Sequence, residues 1–75
     1  MTTSFIPVDE IRRSSTKKIN QKKVLGIMEA YERGEYLPPI RLSRQINGYR
    51  IVGDGRHRYE AAVRLGISHI LAYIA

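Results

Sequence analysis

A glycine-containing turn between a strand pattern and a helix pattern constrains the fold of this chain most. Residues 49–52 alternate in the manner of a strand, and residues 59–65 have the spacing of a helix. The turn between them has the sequence Gly-Asp-Gly-Arg-His-Arg at residues 53–58. Glycines let the backbone approach a ligand closely, and the free N–H groups and dipole at a helix start favour anions. The turn therefore predicts a phosphate-binding loop.

Composition limits the class of protein. A chain of 75 residues predicts one small domain over residues 1–75, and 43% hydrophobic residues indicate a folded chain. No apolar run approaches the roughly 20 residues that a membrane span needs, and no signal peptide begins the chain, so we expect no membrane association. There are no cysteines, which excludes disulfides, thiolate nucleophiles and cysteine-bound zinc. These features fit a cytoplasmic protein.

The charge of the chain indicates an anionic partner. Thirteen Lys and Arg against seven Asp and Glu give a formal net charge of +6, so a polyanion or a phosphorylated ligand is the natural partner. A cluster of cations predicts a nucleic-acid surface, with a solvated loop and helix face as the equal alternative. No aromatic residues are interleaved with these cations, which weakens the case for stacking on single strands. The cluster comprises Arg12, Arg13, Lys17, Lys18 and Lys22.

The first half of the chain predicts a strand and a helix. Residues 5–8 form a strand pattern, and a turn at 9–11 and a basic loop at 12–18 follow. Asn20 is placed to cap the start of a helix, which Gly34 ends as a left-handed residue. Apolar residues at helical spacing predict one buried stripe on this helix. They are Val24, Ile27, Met28 and Tyr31.

The second half predicts a hairpin, a helix and a closing strand. Asn47 and Gly48 form a turn motif that joins strands at residues 40–44 and 49–52. A helix over about residues 55–65 and a strand at 70–74 complete the chain. The expected fold class is therefore a small α/β (α+β) domain with the order β-α-β-β-α-β.

The whole pattern resembles the ParB/sulfiredoxin superfamily. The similarity covers roughly residues 5–74 and comprises the opening strand, Leu-Pro-Pro-Ile at 37–40 after the first helix, and the hairpin. It culminates in Gly-Asp-Gly-Arg-His-Arg-Tyr-Glu-Ala-Ala at residues 53–62, at the position of the family's nucleotide-phosphate motif. This combination is far more specific than a glycine loop alone. The resemblance implies a mixed sheet and a bound nucleotide.

The sulfiredoxin branch binds ATP with a G-C-H-R loop whose cysteine does the chemistry. Here Arg56 stands at the cysteine position, so the resemblance does not imply sulfinic acid reduction. Lys23 matches the lysine that sulfiredoxins place near the phosphates. Gly26 and Ala30 stand where those enzymes have hydroxyl side chains, so some ligand contacts of that branch are missing.

Two other branches imply other activities. ParB partition proteins bind CTP with magnesium and clamp on DNA, but their helix-turn-helix domain and dimerisation tail have no counterpart in this sequence. Free serine kinases resemble this chain in their D-G-H-H-R loop, in which Asp54 matches the aspartate used in phosphoryl transfer. Such sites also include an acidic residue near the first strand, for which Asp9 and Glu10 are the candidates. Those kinases are much larger than 75 residues.

Six residues are predicted to bind nucleotide phosphates. For the glycines the alternative is an ordinary tight turn, and for Arg58 it is a salt bridge with Asp9 or Glu10. The six are Lys23, Gly53, Gly55, Arg56, His57 and Arg58.

Asp54 and His57 are the candidate catalytic residues. Asp54 is also the candidate ligand of Mg²⁺, with capping of the following helix as its alternative role. For His57 a hydrogen bond to phosphate is favoured over proton transfer.

Two functions remain open from the sequence. The favoured one is a stand-alone ParB-like domain that binds ATP or CTP with Mg²⁺ and uses its basic surface on DNA or a partner protein. The alternative is a small enzyme of the same superfamily, a nucleotide hydrolase, nuclease or kinase. A chain with one small core could also need a second copy as a homodimer. No segment displays a pattern that selects the nucleotide base.

Overall fold

Alternating segments build one sheet in the computed structural model, which describes residues 2–12 and 18–75. Its strands are β1 (Thr3–Pro7), β2 (Ile11–Arg12), β3 (Ile40–Gln45), β4 (Gly48–Ile51) and β5 (His69–Ile74). They lie in the order β1-β5-β3-β4-β2. The pairs β1–β5 and β3–β4 are antiparallel, whereas β3–β5 and β2–β4 are parallel. The predicted mixed sheet and α/β class are confirmed.

In the part of the chain that the structure describes, two α-helices alternate with the strands along the sequence. Helix α1 (Gln21–Glu32) begins after Asn20, whose side-chain oxygen accepts a hydrogen bond from the Lys23 N–H at 3.3 Å. It ends before Gly34, which has a φ of +73°. Both predicted ends of α1 are therefore confirmed. Helix α2 (Arg56–Arg64) follows the loop after β4. Among residues 2–12 and 18–75, neither helix has the length and apolarity to cross a membrane.

The main core lies between one face of the sheet and α2. Tyr59 and Ala62 of α2 are buried against a set of strand residues that all point to the same face. Helix α1 packs against α2 instead, with Val24 and Ala30 buried. Of the four residues in the predicted stripe on α1, Val24 is buried and the other three are half-buried, while Ala30, which was not predicted, is buried. The strand residues of the core are Ile6, Ile11, Ile40, Leu42, Ile70 and Ala72.

The predicted order lacks one strand. After β1 the chain makes a 3-10 turn at Val8–Glu10, and Ile11 and Arg12 then pair in parallel with Tyr49 and Arg50 of β4. Arg12 therefore belongs to a strand and not to the basic loop predicted at residues 12–18. A two-residue strand has no periodicity of its own, so only its distant partner β4 defines it.

The hairpin between β3 and β4 is shifted by one residue from the prediction. Its turn residues are Ile46 and Asn47, and Gly48 already pairs with Gln45. Gly48 has a φ of +125°, and a Cβ at this position would lie 2.3 Å from the Glu10 carbonyl oxygen. Glycine is therefore needed at residue 48 because the 3-10 turn approaches its backbone.

Candidate functional site

The two glycines of the predicted phosphate loop serve different structural needs. Gly53 has a φ of +78° and is exposed, so it supplies the left-handed conformation that turns the chain from β4 toward α2. Gly55 has an ordinary φ of −80° and is buried. A Cβ on Gly55 would lie 2.8 Å from the Ile40 Cβ and 3.2 Å from the Ile51 Cγ2. Close packing on the sheet thus requires the second glycine.

The start of α2 presents backbone donors. The Tyr59 N–H donates to the Gly55 carbonyl at 3.0 Å, which begins the hydrogen bonds of the helix. The N–H groups of Arg56, His57 and Arg58 precede this bond and have no acceptor inside the helix. Together with the helix dipole they form an electropositive end that favours an anion.

Asp54 does not cap α2. The residue at the cap position is Gly55, and no side chain accepts a hydrogen bond there. The alternative role suggested by the sequence is therefore wrong. The Asp54 carboxylate is exposed beside the loop, where it can reach a ligand or a ligand-bound cation.

His57 joins the starts of the two helices. Its Nε2 accepts a hydrogen bond from the Asn20 backbone N–H at 3.0 Å, so the neutral ring has its proton on Nδ1. Burial and then the charges of Arg56 and Lys23 lower the pKa of His57, and Asp54 acts in the opposite direction. The structure thus places Lys23, Asp54 and Arg56 within electrostatic reach of His57, and the binding roles predicted for these residues stay predictions.

Arg56 and Arg58 lie on different sides of this site. The Arg56 Nε donates to the Lys18 carbonyl at 3.4 Å, which keeps its guanidinium near the start of α1. Arg58 instead donates to the carbonyl oxygens of Pro38 and Pro39, the latter at 3.3 Å. Arg58 therefore does not form the alternative salt bridge with Asp9 or Glu10. Arg58 fastens α2 to the segment that leads into β3.

Arg58 also affects a tyrosine of α1. The pKa of Tyr31 is raised by burial and lowered in part by the charge of Arg58. The guanidinium therefore lies within electrostatic reach of the end of α1 as well as of the two prolines. Its role as a phosphate ligand stays a prediction.

The predicted basic cluster is divided by the fold. Lys18 and Lys22 are exposed near the start of α1, and Arg12 lies in β2. Arg13 and Lys17 lie outside the described residues. Among the residues that the structure describes, no group of three His, Cys, Asp or Glu side chains is placed to hold a metal ion.

Two clefts are lined by described residues outside the phosphate loop. One of about 190 Å³ lies between Phe5 of β1, the first residues of β5, and Tyr31 and Tyr36 near the end of α1. The other, of about 400 Å³, lies between Val8 and Val63. Neither includes the loop at residues 53–58. The candidate site is the surface where the starts of α1 and α2 are joined by the Asn20–His57 hydrogen bond.

One contact of the site was missed in the sequence. Asn20 was predicted only as a cap, but its backbone N–H is also the donor to His57, 37 residues away. No local pattern indicates this bond, since it depends on how α1 packs against α2.

The chain is similar to proteins of known sequence and structure. No protein-family model matches the chain. A curated relative, the BEACH domain-containing protein lvsE from Dictyostelium discoideum, is 34% identical over 79 residues. The match covers 99% of this chain but 4% of the relative, so the chain spans a very small part of that protein.

Solved structures are similar over nearly the whole chain. Sulfiredoxin from Arabidopsis thaliana has a TM-score of 0.85 and 27% identity, covering 100% of this chain and 85% of that one. ParB from Caulobacter crescentus, complexed with CTP-gamma-S, has a TM-score of 0.81 and 16% identity and covers 100% and 44%. A free serine kinase in complex with AMP has a TM-score of 0.82 and 25% identity and covers 97% and 30%.

These likenesses define the class of the molecule. The chain has the ParB/sulfiredoxin superfamily fold, as the resemblance in its sequence implied. The structural neighbours include proteins with a bound nucleotide, namely CTP-gamma-S in the partition protein and AMP or ADP in the serine kinase. The fold therefore belongs to a superfamily with nucleotide-binding members.

Proposed function

We propose that residues 1–75 form one nucleotide-binding domain, which binds the phosphates of ATP or CTP where α1 and α2 begin. One observation supports this most: the Asn20–His57 hydrogen bond unites the two helix starts. Burial, and then the nearby charges of Arg56 and Lys23, lower the pKa of His57. Two helix starts and two cations around one point favour a polyanion such as a triphosphate. The nucleotide complexes of the structural neighbours support the same ligand class.

Each residue of the proposed site has a physical task. The backbone N–H groups of Arg56 and His57 donate to phosphate oxygens, and Lys23 and Arg56 neutralise their charge. Gly53 forms the turn, and Gly55 lets it lie close to the sheet.

Asp54 is the candidate for a magnesium ion that accompanies the nucleotide. Mg²⁺ usually keeps several waters and takes its remaining ligands from phosphates and one or two carboxylates. A single exposed carboxylate beside the loop suits that donor set, and a three-residue cage is not needed. The ion would neutralise phosphate charge, and Asp54 would orient it.

The test is a titration with ATP, CTP, GTP and ADP in the presence of Mg²⁺, followed by amide shifts of residues 53–58. We expect saturable shifts confined to this loop and the start of α1, and the affinity order identifies the base. Arg56→Gln should weaken binding about 10-fold or more, since it removes a charge-assisted contact. Arg44→Gln removes the same charge from the hairpin and is the matched control. Equal losses in the two variants, or no shifts in the loop, contradict the proposal.

The state of His57 supports binding over turnover. Because Nε2 accepts the Asn20 N–H, it cannot donate a proton to a leaving group from that atom. His57 therefore acts as a positioning residue that holds α1 against the loop.

A small phosphotransfer, hydrolase or nuclease activity is the second candidate. The exposure of Asp54 beside the proposed phosphate site favours it, as does the likeness to a free serine kinase. Measurement of product release from ATP and CTP, with and without DNA, separates the candidates. An Asp54→Asn variant that loses rate but keeps nucleotide affinity would establish the enzyme. Stoichiometric binding without product supports the binding module.

The proposal includes a macromolecular partner and self-association. Lys18 and Lys22 are exposed near the nucleotide site and would attract DNA or an acidic partner protein in a salt-dependent manner. Sedimentation with and without nucleotide measures whether the chain forms a homodimer.

A further inference from the structure

We propose that the sheet face opposite α2 binds single-stranded nucleic acid, independently of the nucleotide site. Residues that pair across neighbouring strands point to the same face. Ile11 pairs with Tyr49 and points to the core, so Arg12, the next residue, points away from it, together with its partner Arg50. We call this surface the open face. Its members include Phe5, Leu71, Tyr73, Arg41, Ser43, Arg50 and Arg12.

Three arginines of the open face lie on three adjacent strands. Arg41 is on β3, Arg50 on β4 and Arg12 on β2, and all three are exposed. With a strand spacing near 4.8 Å, the three strands span roughly 10 Å. In the described part of the chain none of the three is in an ion pair with a carboxylate. The guanidinium groups therefore remain available for an anion.

The acidic residues of the protein are segregated from the sheet. All seven lie outside the five strands, in the 3-10 turn, the helices or the loops. They are Asp9, Glu10, Glu29, Glu32, Glu35, Asp54 and Glu60. No carboxylate on the sheet opposes the field of the arginines, so the open face is complementary to a polyanion. Arginine also suits phosphate better than lysine does, because its planar fork donates two parallel hydrogen bonds.

Aromatic rings lie on the same face. Tyr73 of β5 is half-buried and pairs in register with Arg41 on one side and Thr3 on the other. Phe5 of the edge strand β1 is 67% exposed, and it also lines the cleft that Tyr31 and Tyr36 border. Bases stack on aromatic side chains of exposed sheets, and neighbouring cations then bind the phosphates. The open face has both elements side by side.

The geometry favours a single strand over a duplex. The major groove of DNA admits a helix or a two-stranded ribbon, but a five-stranded sheet is too broad to enter it. A single strand can lie flat across strands β1 to β2 with its bases on Phe5 and Tyr73. The aromatic rings also favour nucleic acid over an acidic peptide. The carboxylates of such a peptide would bind to the arginines, whereas bases would also stack on Phe5 and Tyr73.

The open face differs from the surface predicted in the sequence. That prediction rested on a run of cations without aromatic residues. The fold removes Arg12 from the run and places it beside Arg50, which is 38 positions later in the chain. The aromatic residues absent from the run come from β1 and β5.

The experiment measures binding of fluorescently labelled oligo-dT and oligo-U of about ten nucleotides, a length within the site size of single-strand-binding domains. Anisotropy is recorded over a range of salt concentrations in the presence of saturating ATP and CTP with Mg²⁺, which occupies the nucleotide site. We expect a logarithmic salt slope of about −2 for three phosphate contacts. The double variant Arg41→Gln/Arg50→Gln removes two of the three contacts, so the magnitude of the salt slope should fall by about 1.4 and binding should weaken about 10-fold.

Two further variants separate charge from stacking. Arg44→Gln removes one charge from the same strand β3 but from its other face, and should change binding less than twofold. Phe5→Leu keeps an apolar side chain and removes the ring, so it should weaken binding about fivefold with the salt slope unchanged. Thermal unfolding of each variant verifies that it folds. If the double variant does not fold, Arg50→Lys replaces it, because lysine keeps the positive charge but cannot donate the two parallel hydrogen bonds of a guanidinium.

Three results would overturn the proposal. Displacement of the oligonucleotide by saturating nucleotide places it at the phosphate loop instead. If Arg44→Gln weakens binding as much as the loss of an open-face arginine does, the oligonucleotide responds only to the net charge of the protein. If poly-glutamate binds as tightly as the oligonucleotides and is weakened equally by the Arg41→Gln/Arg50→Gln variant, the partner is an acidic protein.

Discussion

The Nε2 of His57 accepts a hydrogen bond from the backbone N–H of Asn20 at 3.0 Å. This bond unites the residue that caps α1 with the second residue of α2, and it requires a neutral imidazole. The proposed phosphate site therefore depends on the protonation state of one side chain. Burial, and then the charges of Arg56 and Lys23, lower the pKa of His57, so the neutral ring and its hydrogen bond are maintained near neutral pH.

His57 makes stability depend on pH. Its folded pKa is lowered below the ordinary 6.5, so the unfolded chain binds the proton more readily than the folded chain does. The free energy of unfolding should therefore fall as the pH drops from about 6.5 through the lowered pKa. Urea unfolding between about pH 7.5 and 5 measures this. The change should be reduced in His57→Gln and retained in His69→Gln; equal pH dependence in all three proteins contradicts the assignment.

Gly55 and Gly26 should respond oppositely to alanine. Gly55→Ala places a Cβ 2.8 Å from the Ile40 Cβ and should reduce the free energy of unfolding by about 1–3 kcal/mol. Gly26 lies within α1 with open space around it, so Gly26→Ala should raise that free energy by about 0.5–1 kcal/mol. Chemical denaturation of both variants gives the comparison. Two destabilised variants would mean that Gly26 faces a neighbour in solution.

Replacing Gly48 by alanine should destabilise the protein more than replacing Gly34. Both have positive φ, but only at Gly48 would a Cβ meet backbone, 2.3 Å from the Glu10 carbonyl oxygen. Gly34→Ala should lower the free energy of unfolding by about 1 kcal/mol, and Gly48→Ala by at least about 2 kcal/mol. Chemical denaturation measures the two losses. A Gly48→Ala variant no less stable than Gly34→Ala would show that the 3-10 turn does not approach the hairpin.

Arg58 should matter more for stability than for nucleotide binding. Arg58→Gln loses hydrogen bonds to the carbonyls of Pro38 and Pro39, which should lower the free energy of unfolding by about 1–3 kcal/mol. Its effect on ATP or CTP affinity should be smaller than that of Arg56→Gln. Denaturation and calorimetric titration of both variants measure this. An equal loss of affinity would establish Arg58 as a phosphate ligand as well.

Local patterns predicted most of the secondary structure and named the residues of the candidate site. The cap at Asn20, the left-handed Gly34 and the strand–turn–helix at residues 49–65 follow from rules that act within a few residues. The elements that were missed depend on distant partners. Strand β2 exists because Ile11 pairs with Tyr49, and the hairpin turn lies one residue earlier than predicted because Gly48 accommodates Glu10.

The sequence by itself determined the order of both helices and of four of the five strands, the glycine loop and the net charge, because each is a property of neighbouring residues or of composition. Only the tertiary structure decided that Arg58 donates to the prolines, that Gly55 is a packing residue and that Arg12, Arg41 and Arg50 share one face. Such contacts join residues far apart in the chain. They follow from strand register and helix packing, since these set which side chains meet.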